Sequence, residues 1–185
     1  MQFQSEFIRN EVLPRLGGLL QTACAAPETE LLSILPRLTE LDPQAARLLT
    51  QWADEMAALS PGARAELHTQ TFELNPSCVL YVSVHLFGQE SFKRAKLMTG
   101  LDEAYHTAGF DRCGELPDHL GVILCFAPRF GSDEWDDLVR LCLLPTTEKM
   151  HGALAQSDNP YRRLIEAVAG LIAQEAQREV IHDRA

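Results

Sequence analysis

The sequence lacks the paired cysteines from which disulfide and zinc frameworks are built. Its five cysteines are scattered along the chain, and no two of them form a C-x-x-C motif. An odd number of unpaired cysteines favours neither a disulfide scaffold nor a zinc ribbon, and is typical of a reducing cytoplasm. Cys78, Cys125 and Cys142 have apolar neighbours, so we expect them to act as small hydrophobic residues.

Long basic runs and long hydrophobic runs are also missing. Lys and Arg total 16 against 26 Asp and Glu, which gives a net charge of −10, and basic residues occur in runs no longer than a pair. Such a chain repels phosphate backbones and anionic lipid surfaces, so it indicates no nucleic-acid partner. The apolar runs fall short of the roughly 18 residues of a spanning helix. The N-terminus has no basic start of a signal peptide, so we expect a cytoplasmic protein without membrane insertion.

The residues that are abundant favour helices. Leu and Ala dominate the hydrophobic 46% of the chain, whereas Val, Ile and Thr are sparse. Apolar residues recur at three- and four-residue steps between short turns marked by Pro and Gly. The sequence therefore predicts an all-α fold, a single domain over residues 1–185 with roughly eight helices.

Four helices have recognisable starts or ends. Asn159 and Asp42 are predicted N-caps, each followed by a proline, and Ser132 is a third predicted cap. We expect the helix after Ser132 to end before Pro145 and another to end at Gly109. The predicted buried stripes are Leu48, Leu49, Trp52 and Met56; Leu97, Leu101, Ala104, Tyr105 and Ala108; and Tyr161, Leu164, Ile165, Val168, Leu171 and Ile172.

The segment "CVLYVSVHLF" has some β propensity but no evident partner strand. We therefore interpret it as a helix buried nearly all round. Tyr81 would lie one turn before His85 on that helix. A buried histidine needs a hydrogen-bond partner, so His85 is either a satisfied core residue or part of a polar pocket shared with Tyr81.

The segment "ELPDHLGVIL" places an acid beside a base. We expect Asp118 and His119 to occupy the first turn of a helix that buries Leu120, Ile123, Leu124 and Ala127, where a carboxylate suits the helix dipole. A helical metal-dependent hydrolase that uses Asp118 and His119 is the alternative. However, that class uses the order His-Asp, and the other histidines show no ligand spacing such as H-E-x-x-H. Neither a G-x-S-x-G motif nor a glycine-rich phosphate loop is present.

Two smaller features stay open at this stage. Lys93, Arg94 and Lys96 are able to bind an anion, although Glu90, four residues before Arg94, favours an ordinary solvated helix face. Gly17 and Gly18 indicate either a turn or a close contact between helices.

An ordered series of motifs resembles a known family. The series runs from "TFELNPSCVLYVSVHLFGQESFKRAKLMTGLDEAYHTAGF" to "ELPDHLGVILCFA" and covers about residues 71–127. It resembles the NarJ branch of the NarJ/TorD/DmsD family of molybdoenzyme assembly chaperones. Two positions depart from the pattern: Gly121 stands where proline usually follows D-H-L, and His68 stands near a usual tyrosine.

The resemblance implies an all-helical binding protein without catalytic activity or a cofactor of its own. Its partner would be the apo catalytic subunit of a molybdoenzyme, bound through the N-terminal peptide while the molybdenum cofactor is inserted. A respiratory nitrate reductase is the first candidate, and a related enzyme of the same superfamily, such as a selenate, (per)chlorate or hydrocarbon dehydrogenase type, is the alternative. The positions that match the family motifs are Glu115, Pro117, Asp118, His119 and Leu120, with Phe72, Tyr81, His85 and Arg94. We expect Asp118 to pair with a client cation and His119 to titrate near neutral pH.

Overall fold

The protein is described by a computed structural model over residues 2–22 and 26–182. Cys24 lies outside the described residues. The α-helical segments are α1 (Gln2–Phe7), α2 (Leu13–Gln21), α3 (Pro27–Leu31), α4 (Leu35–Leu41), α5 (Pro43–Ala57), α6 (Pro61–Phe72), α7 (Val82–Phe87), α8 (Phe92–Thr107), α9 (Leu120–Phe126), α10 (Ser132–Leu138), α11 (Leu144–Leu154) and α12 (Tyr161–His182).

The all-α prediction is confirmed. The chain is 75% helical, and the described part contains no β-strand. Counting segments that run on through a π turn as one, the described part has ten helices, eight of them with seven or more residues. The stripes predicted for α5 and α12 are fully buried; in the α8 stripe only Leu101 and Tyr105 are buried, and Ala108 is exposed.

The predicted caps on α5 and α12 are confirmed. Asp42 accepts hydrogen bonds from Gln44 N and Ala45 N at 3.1 and 2.9 Å, which satisfies two of the free N–H groups at the start of α5. Asn159 Oδ1 accepts from Tyr161 N at 2.9 Å. Gly109 follows α8 with φ +60°, a conformation that glycine adopts without strain.

Two prolines lie inside continuous helices rather than at helix ends. Pro14 follows the π turn Ile8–Val12, and Pro145 follows the π turn Val139–Leu143. Proline lacks an N–H and pushes away the carbonyl one turn earlier, and the wider π turn accommodates both effects. The prediction of a helix end before Pro145 was therefore wrong. So was the Ser132 cap, because Gly131 is the N-cap and its N–H donates to Glu134 Oε2 at 3.3 Å.

The segment before α7 is extended, which corrects the prediction of one long buried helix. Tyr81 is the N-cap of α7 and forms an isolated antiparallel bridge with His119. Val82 N donates to Asp118 O at 2.9 Å, and Leu120 N donates to Leu80 O at 2.8 Å. The bridge supplies the strand partner that the local sequence does not reveal. Within α7 only Val82 and Ser83 are buried.

The core contains a close crossing of α2 and α9 through two glycines. A Cβ atom on Gly17 would lie 2.5 Å from Gly121 O, and one on Gly121 would lie 2.7 Å from Gly17 O. Both positions therefore exclude any side chain, and of the two alternatives for Gly17 the close helix contact is confirmed. On the other side of the core, α12 packs against α5 and α11. Within residues 2–22 and 26–182, none of the helices is both long and apolar enough to span a bilayer.

Candidate functional site

The bridge between Tyr81 and His119 gathers most of the predicted site residues. We use the term bridge cluster for Tyr81, Ser83, Arg94, Glu115, Asp118 and His119, which come from α7, α8 and the loop before α9. Pro117 belongs to the same loop, and its carbonyl accepts a hydrogen bond from Tyr105 Oη at 3.0 Å. The loop is also tied to α8 by an ion pair of 2.9 Å between Arg112 and Asp102.

Asp118 precedes α9 and caps another helix. Its side chain is 0% exposed, and Oδ2 accepts from Ser83 N at 3.2 Å and from the Ser83 hydroxyl. The carboxylate therefore holds the first turn of α7, which corrects the expectation that Asp118 lies in the first turn of its own helix. Its complete burial also conflicts with the expected pairing to a client cation.

Arg94 joins this network through Ser83. Its Nε donates to Ser83 Oγ at 2.9 Å, and one terminal nitrogen donates to Gln89 O at 3.2 Å. Glu90 lies before α8 begins, so the expected solvated pair between Glu90 and Arg94 is absent from the described residues. A chain of hydrogen bonds thus runs from Asp118 through Ser83 to Arg94, and it attaches α8 to the rest of the molecule.

His119 is the N-cap of α9. Its Nδ1 accepts from Gly121 N at 3.2 Å, so in the neutral ring the proton is on Nε2, which lies 3.4 Å from Glu115 Oε2. The ring is 5% exposed. Burial lowers the pKa of His119 to about 4, although Asp118 acts in the opposite direction. The expectation that His119 titrates near neutral pH was therefore wrong, and its ring is neutral at pH 7.

The surface of the bridge cluster is acidic around an aromatic ring. Tyr81 is half-buried and contacts the His119 ring edge to face, with centroids 5.5 Å apart. Burial raises the pKa of the Tyr81 hydroxyl, and Glu115, Asp118 and Glu73 raise it further. Of these carboxylates, Glu115 is 34% exposed and Glu73 is 57% exposed.

An exposed leucine follows each of these two glutamates. Leu74 is 69% exposed and Leu116 is 40% exposed. We use the term recognition patch for Glu73, Leu74, Tyr81, Glu115 and Leu116. It combines negative charge with apolar area, which suits a peptide segment that carries both basic and apolar side chains.

Phe72 lies beneath the patch in an aromatic cluster rather than on it. Its side chain is 6% exposed, and its ring packs edge-on against Tyr161 at 4.7 Å and His68 at 5.2 Å. His68 Nε2 donates to Leu20 O at 3.2 Å, and its Nδ1 lies 3.4 Å from Glu73 Oε1. The histidine thus connects the aromatic cluster to the recognition patch through Glu73.

His85 is separate from the Tyr81 hydroxyl. Its Nε2 donates to Val79 O at 2.7 Å, and its carbonyl accepts from Lys149 Nζ at 2.6 Å. The first interpretation therefore holds only in part: His85 is satisfied by the backbone, but it is half-buried rather than a core residue. Leu120, the last of the predicted positions, is fully buried as the first residue of α9.

A family profile described as "Nitrate reductase delta subunit" matches residues 38–165, a range that contains the whole bridge cluster. The chain belongs to the nitrate reductase delta subunit family. This is a family of assembly chaperones for molybdoenzymes rather than of catalysts, and it confirms the resemblance found in the motifs. A search of curated proteins gave no match.

The fold explains one departure of this delta-subunit family member from the motif pattern. Gly121 N donates to His119 Nδ1, and a Cβ at this position would clash with Gly17 O. Proline has no N–H to donate, and its ring would occupy the space that α2 fills. The close approach of α2 at Gly17 therefore requires glycine rather than proline at position 121.

The described part of this family member offers no set of metal ligands for the hydrolase alternative. Among the residues that the structure describes, no three His, Cys, Asp or Glu side chains come together as a metal-binding group. Asp118 Oδ2 is occupied by Ser83, and His119 Nδ1 by a backbone N–H. The pair thus caps two helices, α7 through Asp118 and α9 through His119.

Sequence reasoning missed two positions of the candidate site, Ser83 and Glu73. Ser83 is the centre of the network that joins Asp118 to Arg94, and the only signal for it is one hydroxyl within the apolar run "YVSVHLF". Glu73 directly follows the Phe72 motif position, but its proximity to Tyr81 arises from tertiary packing.

Proposed function

We propose that this protein binds the N-terminal segment of the catalytic subunit of a molybdoenzyme, with a respiratory nitrate reductase as the first candidate client. It holds the apo-subunit in the cytoplasm while the molybdenum cofactor is inserted, before membrane attachment or export. Membership of the delta subunit family supports the general role. The observation that carries the more specific role is the convergence of the motif residues beneath one exposed patch.

In this proposal the motif residues have two different tasks. Asp118, His119 and Arg94 are positioning residues, since each forms hydrogen bonds inside the molecule. Asp118 Oδ2 and Arg94 Nε bond to Ser83, and His119 Nδ1 accepts from Gly121 N. The recognition patch makes the contact with the client. Its two partly exposed carboxylates attract basic side chains of the client segment, and its leucines and Tyr81 pack against apolar ones.

Titration calorimetry with the N-terminal peptide of a candidate catalytic subunit tests the proposal. We expect a dissociation constant in the micromolar range or tighter. The double variant Glu73→Gln/Glu115→Gln should weaken binding by about tenfold and reduce its dependence on salt, because two attractive charges are lost. Glu103→Gln/Glu148→Gln removes the same charge from exposed positions on α8 and α11 and serves as the matched control.

Two results would contradict the proposal. One is the absence of micromolar binding by both the peptide and the apo-subunit. The other is an equal loss of affinity in the two double variants, which would reflect net charge rather than the recognition patch. The molybdenum content of the client, purified from cells with and without the chaperone, measures the second half of the function.

A further inference from the structure

A second surface has the opposite charge to the recognition patch. It is a groove of about 470 Å³ between α8 and α10, and residues of α7 and of the turn before α10 also contribute to its lining. Most of its lining is apolar. The lining includes Lys93, Lys96, Leu97, Gly100, Glu134 and Leu138.

The helix that forms one wall of the groove is poorly covered by the rest of the protein. Of the 16 residues of α8, only Leu101 and Tyr105 are buried. Phe92, at its first position, is 85% exposed. A helix of this length in a packed bundle normally buries a continuous stripe, but Leu97 and Ala104 are only half-buried, so α8 leaves part of its apolar surface exposed.

Gly100 in the middle of α8 has no internal reason to be glycine. Gly17 and Gly121 are needed for the crossing of α2 and α9, but a Cβ on Gly100 would meet nothing within 4 Å. Glycine destabilises a helix interior relative to alanine. At its position in the lining it adds no side chain to the groove, which leaves room for the backbone of another helix to approach closely.

The charged side chains of the groove that have no partner among the described residues are basic, although the net charge of the protein is −10. The sequence has three lysines, Lys93, Lys96 and Lys149, and the first two line the groove. Both are exposed, and within the described part of the chain neither forms an ion pair. Glu134, the acidic residue in the lining, accepts from Gly131 N and caps α10.

We propose that this groove binds an amphipathic helix of a partner protein whose apolar face is flanked by Asp or Glu side chains. The apolar face packs over Leu97, Gly100 and Leu138, and the carboxylates pair with Lys93 and Lys96. This surface is distinct from the recognition patch, and its complement is acidic rather than basic. It therefore goes beyond the proposed function and does not depend on it.

Two synthetic helical peptides of about 18 residues, long enough to cover α8, test the proposal. Both have the same Leu and Phe face; one is flanked by Glu and the other by Lys. In fluorescence anisotropy the Glu peptide should bind about tenfold more tightly than the Lys peptide, and added salt should reduce the difference. The double variant Lys93→Glu/Lys96→Glu should reverse the preference.

Two glycine variants distinguish a loss of binding caused by a filled groove from one caused by a change in stability. Gly100→Leu fills the groove and should abolish binding of the Glu peptide while raising the midpoint of thermal unfolding. Gly170→Leu, at an exposed glycine of α12 outside the groove, should raise that midpoint and leave binding unchanged.

Several outcomes would overturn the proposal. Equal affinity for the two peptides, no binding of either, or full binding by Gly100→Leu would each do so. Self-association in sedimentation that Lys93→Glu/Lys96→Glu abolishes would make a second copy of the chain the occupant. If Gly100→Leu no longer bound the basic N-terminal peptide of the client, the groove would be the binding site of that peptide instead.

Discussion

At the scale of single residues, His119 shows how burial changes the task of a motif side chain. In water an imidazole titrates near neutral pH, but here its Nδ1 caps α9 and its buried ring lies against Tyr81 and Glu115. Charging the ring would cost its solvation and break the cap. The same environment that lowers the pKa of His119 thus makes the folded state sensitive to acid.

We predict that the wild-type protein loses stability between neutral pH and pH 5 partly through His119. Its pKa falls from 6.5 to about 4 on folding, so above about pH 6.5 both states are neutral and there is no penalty. As the pH falls below 6.5, the unfolded chain binds a proton that the folded chain excludes. By pH 5 this lowers the free energy of unfolding by about 2 kcal/mol.

His119→Asn isolates this effect, since asparagine retains a capping oxygen but has no titrating ring. Urea denaturation of both proteins at about pH 7.5 and about pH 5 gives the comparison, because the contributions of the carboxylates cancel in the difference. A wild-type protein that loses no more stability than the variant would contradict the assignment.

At the scale of helices, the crossing of α2 and α9 fixes the position of the motif loop. The backbone of α9 lies against Gly17, so the start of α9, with His119 as its cap, has a fixed distance from α2. From there the bridge to Leu80 and Val82 positions α7, and Ser83 positions α8 through Arg94. This series of contacts connects the Gly17–Gly121 pair in the core to α8 at the surface.

Two adjacent glycines give a matched test of this crossing. Gly17→Ala places a methyl group within 3 Å of Gly121 O, Cys125 N and Cys125 Sγ, so the helices must separate. We expect the free energy of unfolding to fall by roughly 2–3 kcal/mol. Gly18→Ala, where nothing lies within 4 Å, should instead raise it by up to about 1 kcal/mol.

Thermal and urea unfolding followed by far-UV circular dichroism measure both variants. The contrast is informative because the two substitutions are chemically identical and differ by one position in the sequence. Equal effects in the two variants would show that the helices do not cross at Gly17.

At the scale of the whole molecule, contacts join the two ends of the chain. Glu175 of α12 is 7% exposed and accepts from Ser5 Oγ at 3.1 Å and from Trp135 Nε1 at 3.2 Å. One cluster of buried apolar residues extends from Phe7 to Ile172. These contacts favour cooperative unfolding of α1, α10 and α12 together.

We therefore predict a single unfolding transition, which would support the prediction of a single domain. Trp52 and Trp135 are 0% and 1% exposed, so tryptophan fluorescence reports on the packing around α5 and α10. The fluorescence transition in urea should coincide with the loss of helical circular dichroism. Two separate midpoints would show that the chain contains more than one folding unit.

The sequence by itself determined the fold class, the caps at Asp42 and Asn159, and the buried stripes of α5 and α12. These features depend on residues three or four positions apart, so local periodicity is enough to predict them. The ordered motifs likewise identified the family, which the profile match confirms.

Only the tertiary structure decided what the motif residues do. The bridge at Tyr81, the capping of α7 by Asp118 and the lowered pKa of His119 all require segments more than 30 residues apart to meet. Burial and partner geometry arise from these long-range contacts, which local spacing does not encode. The same reason applies to Gly121, whose missing side chain is explained by a helix that lies a hundred residues earlier in the chain.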